Sequence, residues 1–591
     1  MDRRASLATL FGKKNTGSKT GKIDKSNSGF FSPLVVQSGL EAYNGPWEFA
    51  QAAHLLRRAT FGPKYSEIKD AVALGYQASL DKIFTVSYPT EGPVNPGFIP
   101  NRNGNVPIND PNIPAGSPWV YKENGEWKMG EFDPSDPVNF QALNLYRRLS
   151  LRAWKMERIL NDTTILEKMT LFWHNHFVTA DINDPGFEFR YITTLQENAL
   201  GNFKDLATKM TLDLSMMIYL NGNENTNRAP NENYARELFE LFTIGKGPLA
   251  GPGDYTYYTE QDVQEAAKVL TGWRIVRFPR SNNGIVTLES SVMTTFRSAL
   301  HETGDKTFSS RFNGAIISNN GEDEYKDLID MIFNQDQCAR FLARKLYRWF
   351  VYYEIDDTIE QNVIEPLAQI IIDNNYEVEP ALRTLLGSQH FFDHINTGPM
   401  IKNPIDFVSS TLRPFDFEQK APQDITQRQI YFLNAASYFD DMQMVYFSPP
   451  DVAGWKAYYQ EPSFYRIWIN SSTLVARSKF TNQVVMGVND RGRPSPYALD
   501  ILEFVASLDN PMDVNLMLDE FVQILYPRDI SQEQKDYLKG VLLPGLPDYE
   551  WPLEYGDYLN NPDDPDLRDG VLTKLRALLD VMLGLPEFYL S

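Results

Sequence analysis

Four of the six histidines fall in short polar and aromatic runs: His54 in HLLRRATFG, His174 and His176 in LFWHNHF, and His301 in HETGDKTF. Imidazole both binds divalent transition metals and moves protons near neutral pH. His174 and His176 stand two apart, so on a continuing helix they point ~200° apart; both reach one site only where the helix ends or the chain extends. The Val178-Thr179-Ala180-Asp181 that follows offers such an exit. A second constellation is PNENYARELFELFTIG, residues 230–245, where helical geometry sets Asn233, Glu237 and Glu240 along one side. Two carboxylates three apart on a mostly apolar helix call for an arginine, a metal or a proton. Arg236 can serve Glu240 at i, i+4, which leaves Glu237 as the carboxylate expected to be buried. A metal held by His174, His176 and Glu237, with Asp181 or His301 as further candidates, would be a nitrogen-and-oxygen site suited to zinc, iron or manganese, its open position activating water. In that arrangement Glu237 is ligand or general base, and His301 with Lys306 polarises the substrate. The competing reading is structural: each imidazole hydrogen-bonds a neighbour in the core, and Arg57, Arg58 or Arg190 completes a buried ion network around Glu237.

A third cluster, residues 447–477, crowds Tyr458, Tyr459, Tyr465 and Trp468 beside Asn470, Ser471 and Ser472. Aromatics beside amides and hydroxyls suit the stacking of sugar rings, and they equally suit the edge of a helical core. Nucleophilic and nucleotide chemistry finds little support, because the chain has no GxSxG elbow, no P-loop and no strand-borne GxGxxG. Cys338 is the one cysteine; it excludes an intramolecular disulfide and every cysteine-rich metal site, and it stands on an apolar helix face where a thiol is a poor nucleophile.

Helices must position these residues. Phe49, Ala52, Ala53 and Leu56 follow i, i+3, i+4, i+7 spacing, with Gly62-Pro63 as the stop. Helical spacing resumes from about Asn139 through His176, over 190–220, and from Asn231 to Ile244, where Gly245 ends it. Thr259-Glu260-Gln261-Asp262 reads as a capping box ahead of a stripe of Val263, Ala266, Ala267 and Leu270, closed by Gly272. Over 335–352 an apolar face including Cys338 and Trp349 opposes Arg340, Arg344 and Arg348. The β-branched and aromatic runs of 274–300, around Ser281-Asn282-Asn283-Gly284, suit a small hairpin. Residues 85–140 are dense in Pro, Gly and Asn and read as a long loop insertion, and the acidic 548–569 stretch reads as a solvated loop before a last helix ending near Leu583. The expected class is therefore mainly α: a large multi-helix domain with a small β-hairpin and long Pro- and Gly-rich loops. Its expected division is a basic arm at 1–45, a helical N-terminal lobe at 46–320 carrying the His and Glu motifs, and a helical C-terminal lobe at 321–591.

Charge separates the arm from the body. The 591 residues carry a formal −21, yet residues 1–40 hold seven basic and two acidic side chains, so the rest stands at −26. An acidic body of this kind repels polyanions, so nucleic acid is not an expected partner. Beyond the arm no window reaches the ~18–20 apolar residues of a membrane span. Arg3-Arg4 ahead of the apolar run Ala5 to Phe11 is similar to a twin-arginine export signal, with an apolar run shorter than usual.

These clusters, in this order, resemble the bacterial family called domain of unknown function 1800. The likeness runs from HLLRRATFG through LFWHNHF, GNFKDLATKM, YLNGNEN, NENYARELFELFTIG, YTEQDVQEAAKVLTGW, HETGDKTF, ARKLYRWFV and MIKNPIDFVSSTLR to PPDVAGW and INSSTLVAR, most of residues 47–480. It departs at Glu302 and Thr303, where the family usually shows Asp-Pro, and at Asn221, where Asp is common. The resemblance implies a predominantly helical protein of the bacterial periplasm or envelope, with an exported sulfatase-like protein as partner; a cytoplasmic location is the alternative. It names no reaction. From the residues, a metal-assisted hydrolase is the leading expectation, with a non-enzymatic envelope scaffold and a carbohydrate-binding protein built on 447–477 as alternatives.

Overall fold

Amphipathic spacing along most of the chain produces helices, and the computed structural model is mainly α, with antiparallel two-stranded sheets as its β elements among the described residues. It describes residues 38–97, 113–123, 126–129, 137–251, 254–277, 292–489 and 491–591; the Arg3-Arg4 motif and the Ser281–Gly284 turn lie outside these. One continuous apolar core joins residues from Ala52 to Tyr589. Stability here rests on helix faces packed into that core, since isolated helices of this length are marginal in water.

Local signals place several elements as expected. The helix Glu260–Val269 begins at Thr259, whose hydroxyl caps Asp262 N–H while the Asp262 carboxylate accepts from Thr259 N–H. Its stripe of Val263, Ala266 and Ala267 is fully buried, and Gly272 follows at φ 94°, where a Cβ would lie 3.1 Å from the Arg297 carbonyl oxygen. The helix Asp336–Phe350 buries Cys338 and sets Arg340 on Glu365 and Arg344 on Glu360. Trp273–Arg277 pairs antiparallel with Val292–Phe296, which are the strands of the expected hairpin.

Three stretches differ. The insertion at 85–140 contains a two-stranded sheet of its own, Val120–Glu123 paired antiparallel with Glu126–Met129. Trp119 anchors it, fully buried, with its indole N–H donating to Ser150 Oγ at 3.2 Å. The stretch 548–569 holds a helix, Glu550–Asn560, and the start of the last one, Pro565–Gly584; the first forms because Trp551 and Tyr555 lie one turn apart, stack at 5.3 Å and are buried. Finally, the helix that starts at Glu232 changes character: Glu232–Glu237 is α-helical and Leu238–Thr243 is π-helical, with Ile244 N–H reaching the carbonyl of Phe239 five residues back at 3.1 Å. Such wider turns recur at functional sites.

Candidate functional site

The expected meeting of His174, His176, His301 and Glu237 does not occur; the structure sends them to three surroundings. His301 and Lys306 do come together, around a carboxylate that the sequence did not single out. Glu324, in the first turn of the helix Glu324–Phe333, lies 2.9 Å from His301 Nε2 and 2.5 Å from Lys306 Nζ. His301 Nδ1 lies 2.9 Å from the Thr271 carbonyl, and Lys306 also donates to the Glu302 carbonyl at 2.6 Å. All three ionisable groups are sealed from solvent, at 2%, 0% and 0% exposure for His301, Lys306 and Glu324. The triad, sealed from solvent, ties the 301–306 loop to the helix Glu324–Phe333.

His174 and His176 end the helix Leu166–His176 on opposite sides, as their spacing requires. His174 Nδ1 donates to the Tyr191 hydroxyl at 2.8 Å, which in turn donates to the Phe177 carbonyl. The ring stacks on Tyr446 at 5.2 Å and meets Trp455 edge-on at 5.6 Å. Burial, then the Lys155 charge, pushes its pKa down to about 3, so it is neutral. Asn175 between them accepts from Trp455 N–H at 2.9 Å, and Gly454 packs so close that a Cβ there would meet Asn175 Oδ1 at 2.3 Å. His176 faces the π-helical turn: Nε2 donates to the Phe242 carbonyl at 2.9 Å and Nδ1 accepts from Lys345 Nζ at 3.2 Å. Lys345 also donates to the Leu241 carbonyl at 3.0 Å, and burial with the Arg348 charge lowers its pKa to about 7. Burial and the Lys345 charge hold His176 well below the usual imidazole value. The HNH run therefore grips two segments, the loop 443–455 and the turn 238–243.

Those two segments carry acidic side chains to a common face. Glu237 sits where the α-helix becomes π-helical, half-buried, with no hydrogen bond to its carboxylate among the described residues. Burial first, then the charges of Glu240 and Asp451, push its pKa up to about 7 against the opposing pull of Arg236 and Lys246. Tyr219 feels Asp451, Asp181 and Glu237 together, in that order after burial, and its phenol is raised. Tyr459 hydrogen-bonds Asp451 and is pushed up to about 12, chiefly by burial. Asp181 and Phe447 adopt left-handed backbone at φ 55° and 43°, and Ser448 Oγ donates to Asp181 Oδ1 at 3.2 Å. Strained backbone held by surrounding contacts is common at functional sites. Two other carboxyls are also raised to about 7, but Glu188 is 3.4 Å from Arg148 Nε and Asp213 caps the helix Leu214–Tyr219. Glu237 has neither excuse.

The pairing expected between Arg236 and Glu240 is also replaced. Arg236 takes Glu260 and Glu232, while Glu240 takes Lys246 at 2.7 Å and the Tyr258 hydroxyl at 3.0 Å. The wide π-turn rotates Glu240 away from the position an α-helix would give it. Arg57 and Arg58 donate to main-chain carbonyls of Gln523, Ile524, Phe350 and Val351 instead of serving Glu237. Among the described residues no group of three or more His, Cys, Asp or Glu side chains could hold a metal ion. The aromatic cluster is mostly core: Tyr465 and Trp468 are 3% and 4% exposed and Tyr458 stacks on Trp349 at 4.2 Å, which leaves Tyr459 at the surface. A continuous sugar-stacking platform is thereby lost.

Sequence reasoning missed Glu324, Lys345, Asp451 and Tyr219. Asp451 lies inside PPDVAGW and Tyr219 inside YLNGNEN, segments named only for the family resemblance. No helix of the described residues is long and apolar enough to cross a membrane. No curated protein and no solved structure matches the chain. One family model matches residues 54–590, a range that contains every group of the face around Glu237, and the chain belongs to that family, Protein of unknown function (DUF1800).

Proposed function

We propose that this protein is a hydrolase of the bacterial cell envelope that works by carboxylate acid–base chemistry on the face around Glu237. The observation that carries the reading is a half-buried carboxyl, raised to about 7 and without a hydrogen-bond partner among the described residues, set among acidic and phenolic groups from four separate segments. A carboxyl poised at neutral pH serves as general acid or base, and a neighbouring carboxyl group supplies the complementary role. Glu237 is the proton donor here, Asp451 the acceptor, and Tyr219 and Tyr459 orient the substrate. His174, His176 and Lys345 position the two segments without touching substrate. The metal-assisted form, with zinc, iron or manganese on His174, His176 and Glu237, draws no support from imidazoles already committed to Tyr191, Phe242 and Lys345.

The test is a panel of ester, phosphodiester, glycoside and peptide substrates with Glu237→Gln and Asp451→Asn beside the parent. Each substitution is expected to lower kcat/KM on the active class about 100-fold or more. Difference infrared spectroscopy between the parent and Glu237→Gln should show a carboxyl titrating near pH 7. A carboxyl titrating in the ordinary range, or turnover indifferent to both substitutions, overturns the reading.

A second reading, a partner-binding envelope protein, is favoured by apolar side chains left in solvent on the C-terminal helices: Tyr537, Tyr549 and Leu553 are each about 60% exposed. Exposed apolar groups on neighbouring helices are a docking signature. The exported sulfatase-like protein implied by the family resemblance is the partner to try. Co-purification with it that survives Glu237→Gln but fails in Tyr549→Asp, Leu553→Asp would favour this reading over the enzymatic one.

A further inference from the structure

Far from Glu237 along the chain, the core contains more buried positive charge than the protein neutralises. Arg57, Arg58, Lys168, Lys402 and Arg477 are 8%, 4%, 5%, 5% and 0% exposed. One carboxylate, Asp406, is felt by four of them, Arg58, Lys168, Lys402 and Arg477, and is paired directly with Lys168. Five buried basic side chains thus stand around one carboxylate among the described residues, and the backbone oxygen and hydroxyl of Ser591 each lie 3.3 Å from Arg58. Main-chain carbonyls blunt part of the excess: Arg57 and Arg58 use them, and Arg477 Nη2 donates to the Lys402 carbonyl at 2.8 Å. The Nε and Nη1 of Arg477 nevertheless have no partner among the described residues. Lys402 Nζ lies 4.0 Å from the centroid of the Phe588 ring, and burial with the charges of Arg57, Arg477 and Lys168 drives its pKa well down.

Three of these basic groups, Arg57, Arg58 and Lys168, line a cavity of about 20 Å³ together with Asn403, Asp406 and Tyr458, while Lys402 and Arg477 stand outside its wall. That is room for one or two water-sized occupants and too little for phosphate. Unpaired charges removed from water are among the most destabilising features a core can hold, and a bound counter-ion relieves them.

We infer that this cavity is a binding site for a monatomic halide, chloride being the natural occupant, held by Arg57, Arg58 and Lys168 against the single carboxylate Asp406 in the same wall. The ion joins the helix Phe49–Ala59 to Lys168 on the helix Leu166–His176 and to Asn403, segments distant in sequence. It acts on stability and not at the Glu237 face, so its failure leaves the hydrolase reading untouched.

The experiment uses the full chain. Crystals soaked in sodium bromide should show an anomalous peak within the cavity. The melting temperature should rise by ~1–2 °C and saturate as chloride replaces gluconate at constant ionic strength, following ligand linkage. Arg57→Gln should lose that chloride dependence; should that variant not fold, Lys168→Gln serves, with the same expectation. A cavity without anomalous signal, together with equal melting in chloride and gluconate, overturns the proposal.

Discussion

Glu324 and Glu237 are both carboxylates at helical positions, each close to residues that the sequence marked as catalytic, yet their surroundings are opposite. Glu324 is sealed and answered twice, by Lys306 at 2.5 Å and His301 at 2.9 Å. Glu237 is half-buried, unanswered, and pressed by Glu240 and Asp451. The difference teaches what separates a fastener from a reactive group in this protein. Charge complementarity in a dry site fixes geometry, whereas partial burial beside like charges and without a partner raises a carboxyl's pKa toward neutrality.

The sharpest way to break the comparison is to remove Glu324. Glu324→Ala strands a lysine and an imidazole in the core, and the expected loss is about 3–5 kcal/mol of folding stability, read by urea denaturation. Glu324→Leu combined with Lys306→Met should recover much of that loss, because the paired charges leave together. A loss under about 1 kcal/mol for the single change would mean that water reaches the triad, and its distinction from Glu237 would collapse.

A middle-sized effect is expected at His174. His174→Phe preserves the stacking on Tyr446 and removes the donor to Tyr191, an expected loss of about 1–2 kcal/mol. Elemental analysis of parent and variant should find the same transition-metal content. One equivalent of zinc, iron or manganese present in the parent and lost in the variant would restore His174 as a ligand.

Legibility followed the range of the interactions. The Thr259 capping box, the stripe of Val263, Ala266 and Ala267, and the buried Cys338 face were all readable, because each depends on neighbours within one or two turns. The α-to-π change at Leu238 was not, since both helices bury Leu238 and Phe242 and differ only in hydrogen-bond register. The site was legible in part. Glu237 was marked, and so was the HNH run, but the run's role was assigned to metal chemistry because its actual contacts, Trp455 to Asn175 and Tyr446 to His174, span some 270–280 residues. Pairings at that distance leave no trace in spacing. Glu324 had the same difficulty at shorter range: three acids open its stretch, GEDE, and nothing local distinguishes the one that turns inward.

The smallest effects are pH slopes, and they bear on the two sides of the π-helical turn with opposite sign. Glu237 has a folded-state pKa of about 7 against an ordinary 4.5, so between those values the folded chain binds more protons than the unfolded one. Stability contributed by this group is present in acid and declines as pH rises from 4.5 through 7. Glu237→Gln should flatten that decline and leave the variant no less stable than the parent at pH 8, by an amount smaller than the full shift implies because solvent reaches the carboxyl. Lys345, lowered from 10.5 to about 7, binds fewer protons when folded across that window, so stability rises with pH between 7 and 10.5. Lys345→Met should remove this rise. Chemical denaturation at pH 5, 7 and 9 measures both slopes at once. If Glu237→Gln is less stable than the parent at pH 8, the carboxylate has a partner in the folded chain, and its contrast with Glu324 is one of degree alone.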